Sequence, residues 1–495
     1  MSIIIILCVN FYLMNIVQSS TLTTPPQSAV VVAFEDIYDL SLLANTLSDQ
    51  GIDTTLIIPA SNENEVYETL IDVEVLTVKV EIKESTIYSE KKTIQICEAL
   101  LKDEQIAKKI QEIQPTFTVF PALRHDGCLL PWAKTVESIP VIWTRNREEE
   151  IYVFEWTGAA LSVQNTGFWT RLWTNMSRRS IFYTVRDEYI IYALRIAGKY
   201  LPHTDVNLDN LYDDVHLILW GADVILRSDF APLTQLIVEV GCHHCRGPHP
   251  LQNDLHKALI EFRLGTVVVL LDENYETLIK ELAWKLPQGK EGQAVVWKNM
   301  KWQNLNENLP ENLFVHPRID RQDLIGYGRT RVVLSHCADT ELLESAFHGS
   351  PVICFPRNSY EVKNTARAIQ LGFARSVEEI DTLSGEEIAN TVNHIHETMS
   401  YRENARKVSL AIRDRINPAV DRLIYWLRYM ARTKDWNLYF LMPANSVKTM
   451  NEDLQFFLGL FVGVIVGAFS TIGCMLTRYL IISKKVQRSK GRYTR

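Results

Sequence analysis

Three observations predict an α/β fold built from doubly wound parallel sheets. Between Arg331 and Arg375, short apolar runs alternate with helix-period segments. A similar strand–helix–strand rhythm opens the body of the chain at Ser28. The chain has 495 residues, 47% of them hydrophobic, which is ample for two cored domains.

In chain order, Ile3 to Val17 is an apolar run of signal-peptide length, and Val17-Gln18-Ser19 offers small residues for cleavage, so 1–19 reads as a signal peptide. Its n-region lacks Lys and Arg, and a short buried strand is the other reading. Ser28 to Phe34 is a first strand, Leu40 to Leu47 a helix ending before Gly51, and Thr54 to Ile58 a second strand. Phe117 to Phe120 and Ile139 to Ile142 are later strands. The stretch LIVEVGCHHCRGPHP, Leu236 to Pro250, gathers Cys242, Cys245, His243, His244 and His249, which are zinc-ligand types. No second pair at zinc-ribbon spacing accompanies them, so no metal site is expected and a framework role competes. Gly247 to Pro250 reads as the linker between a domain at 20–250 and one at 251–450. Gly265 to Leu271 and Ala294 to Trp297 open the second domain as strands.

Val332 to Ser335 is a buried strand and His336 to Thr340 a tight loop, with Asp339 or Thr340 as N-cap. Leu342, Leu343, Ala346 and Phe347 follow at helical spacing; Gly349 ends that helix and Pro351 prevents its continuation. Val352 to Phe355 is the next strand, and Asn364 to Leu371 a helix stopped by Gly372. In such sheets ligands sit beyond the carboxyl ends of the strands, here at His336 and just after Pro356.

Leu454 to Thr477 carries no charge and is long enough to span a membrane. Glu452 and Asp453 precede it, and the basic tail 478–495 follows it. That asymmetry predicts a single-pass type I protein with a cytosolic tail and a lumenal body. A net charge of −8 argues against nucleic acid as a partner. Of eight cysteines, Cys8 falls in the signal and Cys474 in the span; the other six are spread too widely for a dense disulfide framework. Asn175-Met176-Ser177 is a glycosylation sequon in the lumenal part. Gly459, Gly463 and Gly467 recur every four residues on one helical face, a small-residue stripe that suits a homodimer.

His336, Glu344, His348, Gly349, Pro351, Asn364, Leu371 and Gly372 stand at the intervals of the signature HGG-x5-E-x3-HG-x-P…N…LG, and at these residues the chain resembles the UDP-glycosyltransferase family. Val238-Glu239-Val240-Gly241 with His244-Cys245-Arg246, Leu309-Pro310-Glu311-Asn312 and Asp323-Leu324-Ile325-Gly326 are similar to further family segments, so the resemblance covers roughly residues 25 to 490. It implies the GT-B arrangement, two Rossmann-like domains facing a cleft, with acceptor bound by the first and UDP-sugar by the second. It further implies an endoplasmic-reticulum or other secretory-pathway membrane. The activity implied is transfer of a hexosyl or glucuronosyl group from a UDP-sugar to a small lipophilic hydroxyl compound, with UDP-sugar as co-substrate and no cofactor. Carried over position by position, His336 would touch the diphosphate, Glu344 the ribose and Glu361 the sugar, beside Asn364. The stretch from Thr170 to Pro202 would line the acceptor cleft.

Several family positions differ here. The catalytic histidine's place, counted back from Gly51, holds Asp36; a solvated acidic loop is the competing reading. The place of the Asp that orients that histidine falls on Arg124, and Asp126 beside His125 is a displaced candidate for acid–base work. The two glycines of the phosphate loop are Cys337 and Ala338, the Gly-Ser pair is Asp272-Glu273, and the aromatic that stacks uracil is lost at Arg318-Ile319-Asp320-Arg321. A helix amino terminus attracts a diphosphate, yet Asp339 and Glu341 already lie at that terminus. Two like charges at 4 Å cost about 4 kcal/mol at an effective dielectric of 20. Arg318, Arg321 and Arg329 are candidates to offset them. A catalytically silent binding or regulatory relative is therefore the alternative to an enzyme.

Overall fold

The computed structural model describes residues 27–62, 72–80, 90–122, 124–145, 189–205, 207, 211–212, 214–227, 237–299, 309–377, 384–434 and 445–490. The signal segment 1–19, the sequon at Asn175 and the aromatic stretch up to residue 188 lie outside the described residues.

Two parallel sheets organise the chain. The first joins β1 (Ser28–Val32), β2 (Asp53–Pro59), β3 (Glu74–Val78), β4 (Phe117–Pro121), β5 (Ile139–Thr144), β6 (Leu217–Trp220) and β7 (Ile237–Glu239) in the order β3-β2-β1-β4-β5-β6-β7. The second joins β8 (Thr266–Val269), β9 (Ala294–Trp297), β10 (Leu313–Val315), β11 (Thr330–Ser335), β12 (Val352–Cys354) and β13 (Ala374–Ser376) in the order β10-β9-β8-β11-β12-β13. Each order reverses direction beside its first strand, which is the doubly wound pattern. Successive residues serve opposite faces. Val30 and Val32 face one core of the first sheet, and Ala29 and Val31 the other. In the second sheet Val268 and Val333 face one core, Val267 and Val332 the other. Burial on both faces explains why these strands read as continuous apolar runs.

The helices follow the periodicity. In the first domain they are α1 (Ile37–Asp49), α2 (Glu90–Lys102), α3 (Glu104–Ile113), α4 (Asp126–Thr135) and α5 (Ile191–Tyr200). In the second they are α6 (Asn253–Ile260), α7 (Glu276–Lys285), α8 (Arg321–Ile325), α9 (Asp339–His348), α10 (Ser359–Gln370), α11 (Gly385–Glu397) and α12 (Met399–Arg413). The next helix, α13 (Ala419–Arg432), returns to the first domain: Leu423, Ile424, Leu427 and Met430 pack into the core that holds Leu40 and Leu43. Arg415, just before it, bonds Asp223 at 2.9 Å and Glu239 at 2.8 Å. Finally α14 (Asn445–Lys490) contains Leu458–Lys484, long and apolar enough to cross a membrane. A Cβ added at Gly459, Gly463 or Gly467 would meet nothing within 4 Å.

The six cysteines of the body pair as Cys97–Cys128, Cys242–Cys245 and Cys337–Cys354. They staple neighbouring elements, a pairing that spacing alone does not give. The bond between Cys242 and Cys245 also removes both thiolates from any metal reading of that loop.

Candidate functional site

The site lies where the loops after β1 and β11 meet, beyond the carboxyl ends of both strands. On the second-domain side the chain turns at His336 and Cys337. Cys337 has φ 57°, the left-handed conformation that its glycine counterpart would adopt freely. It is held there by the disulfide to Cys354, by its N–H donating to Ser335 Oγ at 2.7 Å, and by Asn364 Nδ2 donating to its carbonyl at 3.1 Å. The left-handed turn thus stands on a cysteine in place of glycine.

Ala338, not Asp339 or Thr340, is the N-cap of α9, and no side chain caps the helix. The expected cap fails because both side chains are drawn across the cleft. Thr340 Oγ1 bonds Asp39 of α1. Asp339 Oδ1 accepts from Arg227 Nη2 at 3.3 Å and from Asn364 Nδ2 at 3.0 Å; Oδ2 accepts from Tyr360 Oη and lies 3.8 Å from Arg145 Nη1. Arg145 also pairs with Asp36 at 3.6 Å and with Asp39. The ring of Tyr360 carries the Arg227 guanidinium 4.5 Å from its centre. Two arginines of the first domain therefore neutralise the helix-terminal carboxylate that would repel a diphosphate. Of the cations expected to offset Asp339 and Glu341, Arg321 approaches Glu341, at 3.8 Å.

Asp36 itself has φ 51° and stands just before α1. Arg124, at the place of the orienting Asp, pairs instead with Glu35 at 3.2 Å. Asp126 is fully buried in the first turn of α4, where Tyr212 Oη donates to its Oδ2 at 2.7 Å. His125 is buried too, its ring against Phe34.

Glu344, the expected ribose ligand, is buried with both oxygens engaged. Arg321 Nη2 donates to Oε1 at 2.8 Å and Nε to Oε2, and His244 Nε2 lies 3.2 Å from Oε1. Burial pushes this carboxyl up, but Arg321 and His244 outweigh it and hold it down at about 2. Tyr38 covers the Arg321 guanidinium from the first domain, 4.7 Å away. Burial takes the neighbouring His243 down to about 3 and His348 to about 4, so both are neutral.

His336 is buried, with Nδ1 2.9 Å from the Phe355 carbonyl, so that nitrogen donates and Nε2 points to Asp272 Oδ2 at 3.6 Å. Arg357 bridges Asp272 at 3.6 Å and Glu361 at 2.9 Å, and its main-chain N–H donates to Glu361 Oε2 at 2.7 Å. Four acidic side chains on the second-domain side, Asp272, Asp339, Glu341 and Glu361, thus each have an arginine within 4 Å. Among the described residues no group of three or more His, Cys, Asp or Glu side chains is placed to hold a metal ion.

Comparison with known proteins bears on this geometry. The model of a family described as UDP-glucoronosyl and UDP-glucosyl transferase matches residues 57–488. UDP-glucosyltransferase 2 of Dactylopius coccus is 25% identical over 299 residues, 58% of this chain and 55% of that protein. UDP-glucuronosyltransferase 2B19 of Macaca fascicularis is 23% identical over 428 residues, 80% of this chain and 75% of that protein. UDP-glucuronosyltransferase 2B7 of Homo sapiens is 24% identical over 238 residues, covering 46% and 41%. The chain thus spans about half the length of the first of these relatives and less of the third. Among solved structures, the calicheamicin glycosyltransferase CalG4 superposes with a TM-score of 0.54 at 16% identity, covering 83% of this chain and 99% of that one. Glycosyltransferase VinC in complex with DTDP gives 0.55 at 13% identity, covering 82% and 100%. These two likenesses concern the fold, which is GT-B.

Proposed function

The chain belongs to the UDP-glycosyltransferase family, and from that membership we propose that it transfers a hexosyl or glucuronosyl group from a UDP-sugar to a hydroxyl of a small lipophilic acceptor. The observation that carries this reading is the meeting of the two strand-end loops, Asp36 and Asp39 from one side and Asp339 from the other, through Arg145. In the transfer the acceptor oxygen bonds the anomeric carbon, the carbon–oxygen bond to the diphosphate breaks, and its electron pair leaves with UDP. The hydroxyl proton goes to a carboxylate at the cleft, for which Asp36 is the candidate. His336 and Asn364 serve the diphosphate, and Glu361 the sugar. The route to donor binding is exchange: the diphosphate takes over Arg227 and Arg145 from Asp339, and the ribose takes over Glu344 from Arg321.

The protein works on a secretory-pathway membrane, held by α14 with its body in the lumen; the face of Gly459, Gly463 and Gly467 is the contact for a second copy. Gly463→Leu should then lower dimer content of the span in a membrane reporter, and undiminished association would remove that contact.

Isothermal titration of the full-length protein with UDP and several UDP-sugars, followed by product assay against a panel of lipophilic alcohols and phenols, tests the transferase. Micromolar binding with glycosylated product is expected. Full engagement of Glu344 by Arg321 and His244 favours a second reading, a silent relative that binds a partner. Absence of both donor binding and product would select it.

A further inference from the structure

At the end of the second sheet away from His336, four arginines converge. Arg329 lies in the turn before β11 and Arg331 near its start; Arg402 and Arg406 stand four residues apart in the first half of α12. His396, in the last turn of α11, joins them. The charges act on one another. Burial and then Arg402, Arg329 and Arg406 lower Arg331, while burial and then Arg331 and Arg402 lower His396. Exposed Glu397 opposes that effect on His396 and is too weak to reverse it. None of the four arginines has an ion-pair partner among the described residues. In a chain of net charge −8 this is a marked concentration of uncompensated cations.

The backbone is shaped to present them. Thr330 pairs with Thr266 and Val332 with Val267, so Arg331 is an extra residue bulged from the ladder. A bulge re-aims the side chain it carries. Facing it, Gly265 has φ 89°, and a Cβ there would fall 2.9 Å from Arg331 Nε and 2.6 Å from the Arg329 carbonyl. Arg329 Nη2 is fixed on the Phe262 carbonyl at 2.6 Å. Three polar nitrogens in the cluster, Arg329 Nε, Arg331 Nη1 and His396 Nδ1, are shielded from solvent and hydrogen-bond to nothing among the described residues. Leaving such groups unmatched is costly, and an anion is the ligand chemistry that matches donors of this kind.

From this bulge, glycine and set of unmatched nitrogens we infer an anion-binding exosite that takes a phosphoryl group between β11 and the first turns of α12. Guanidinium forks suit phosphate oxygens, and Arg402 and Arg406 share one face of their helix. At roughly 3.3 Å per strand residue, β11 places this site roughly 20 Å from His336, so it is separate from the cleft and does not depend on the transferase reading. A soluble phosphate and an acidic lipid headgroup offer the same chemistry.

The experiment uses the full chain in phosphatidylcholine nanodiscs, with amide hydrogen exchange read over Thr398–Arg406. One arm adds inorganic phosphate at constant ionic strength; the other replaces part of the lipid with phosphatidic acid. Saturable protection is expected, weakened about tenfold or more in R402Q/R406Q. Both substitutions lie at exposed helical positions, and R331Q is the companion variant. Protection in the first arm assigns a soluble ligand, and protection in the second alone a headgroup. No protection in either arm, or protection undiminished in R402Q/R406Q, overturns the site.

Discussion

Arg321 closes on both carboxylate oxygens of Glu344, so the carboxylate expected to hold ribose is already held by a guanidinium. A buried pair broken on one side leaves an uncompensated charge. Arg321→Leu is therefore expected to cost about 3–5 kcal/mol in denaturant unfolding. The acid limb should move as well. Glu344, held at about 2, contributes stability that is full above its unfolded value of about 4.3 and lost as pH falls through 2. In the variant that loss should begin at higher pH. A cost below about 1 kcal/mol would mean an exposed pair.

Asp339 occupies Arg227 and Arg145, the cations that the proposed donor diphosphate would take over. Changing Asp339→Gly together with Glu341→Ser should raise UDP affinity about tenfold or more, since it removes charge of the donor's own sign. The helix cap at Ala338 is untouched, so the stability cost should come from the lost ties to Arg227, Arg145 and Tyr360. Weaker UDP binding in calorimetry would show that the carboxylates assist the donor.

His336 donates through Nδ1 to the Phe355 carbonyl and keeps Nε2 for the cleft side. His336→Ala should weaken UDP binding by about 1.5–3 kcal/mol, the range for a hydrogen bond to a charged group. Unchanged affinity in a folded variant would remove the histidine from the donor site.

Asp223 gives a pH signature with the opposite sign to Glu344. Burial, then the nearby Glu239, raise its carboxyl to about 6 despite Arg415. Its contribution is full below the unfolded value of about 3.9 and is lost as pH rises through 6. Acidification from pH 7 to 5 should therefore add about 1 kcal/mol through this group. Thermal midpoints of wild type and Asp223→Asn, taken at both pH values, check it. The wild type should gain on the variant at pH 5, and an equal gap at both would refute the shift.

Much of this was legible from residue pattern. Strand runs such as Val332 to Ser335 are buried on both faces and so carry no competing polar signal, and Gly349 ends its helix in the left-handed conformation expected of it. His336, Glu344 and Asn364 could be placed because they stand at the intervals of the family signature, and they fall just after β11, within α9 and within α10. What escaped were partners distant in sequence. Arg145 and Arg227 sit in irregular segments after β5 and β6, and no local period marks them. The one available signal was electrostatic: acidic residues at a helix amino terminus require cations, and the candidates near in sequence, Arg318, Arg321 and Arg329, all belong to the second domain. The cap assignment of Asp339 failed for the same reason, because a local rule lost to a contact across the cleft.

The return of α13 to the first domain also governs how the chain is made. Leu423, Ile424, Leu427 and Met430 complete a core whose other members include Ala29, Val31 and Leu40. At roughly 5–20 residues per second, a translating ribosome delivers that helix some tens of seconds after β1. For that interval the nascent first sheet keeps part of an apolar face uncovered beside α1. It is closed only when nearly the whole body has emerged and the apolar segment Leu458–Lys484 is next to leave the tunnel. Completion of the first domain and arrival of that segment are thus nearly simultaneous events in biosynthesis.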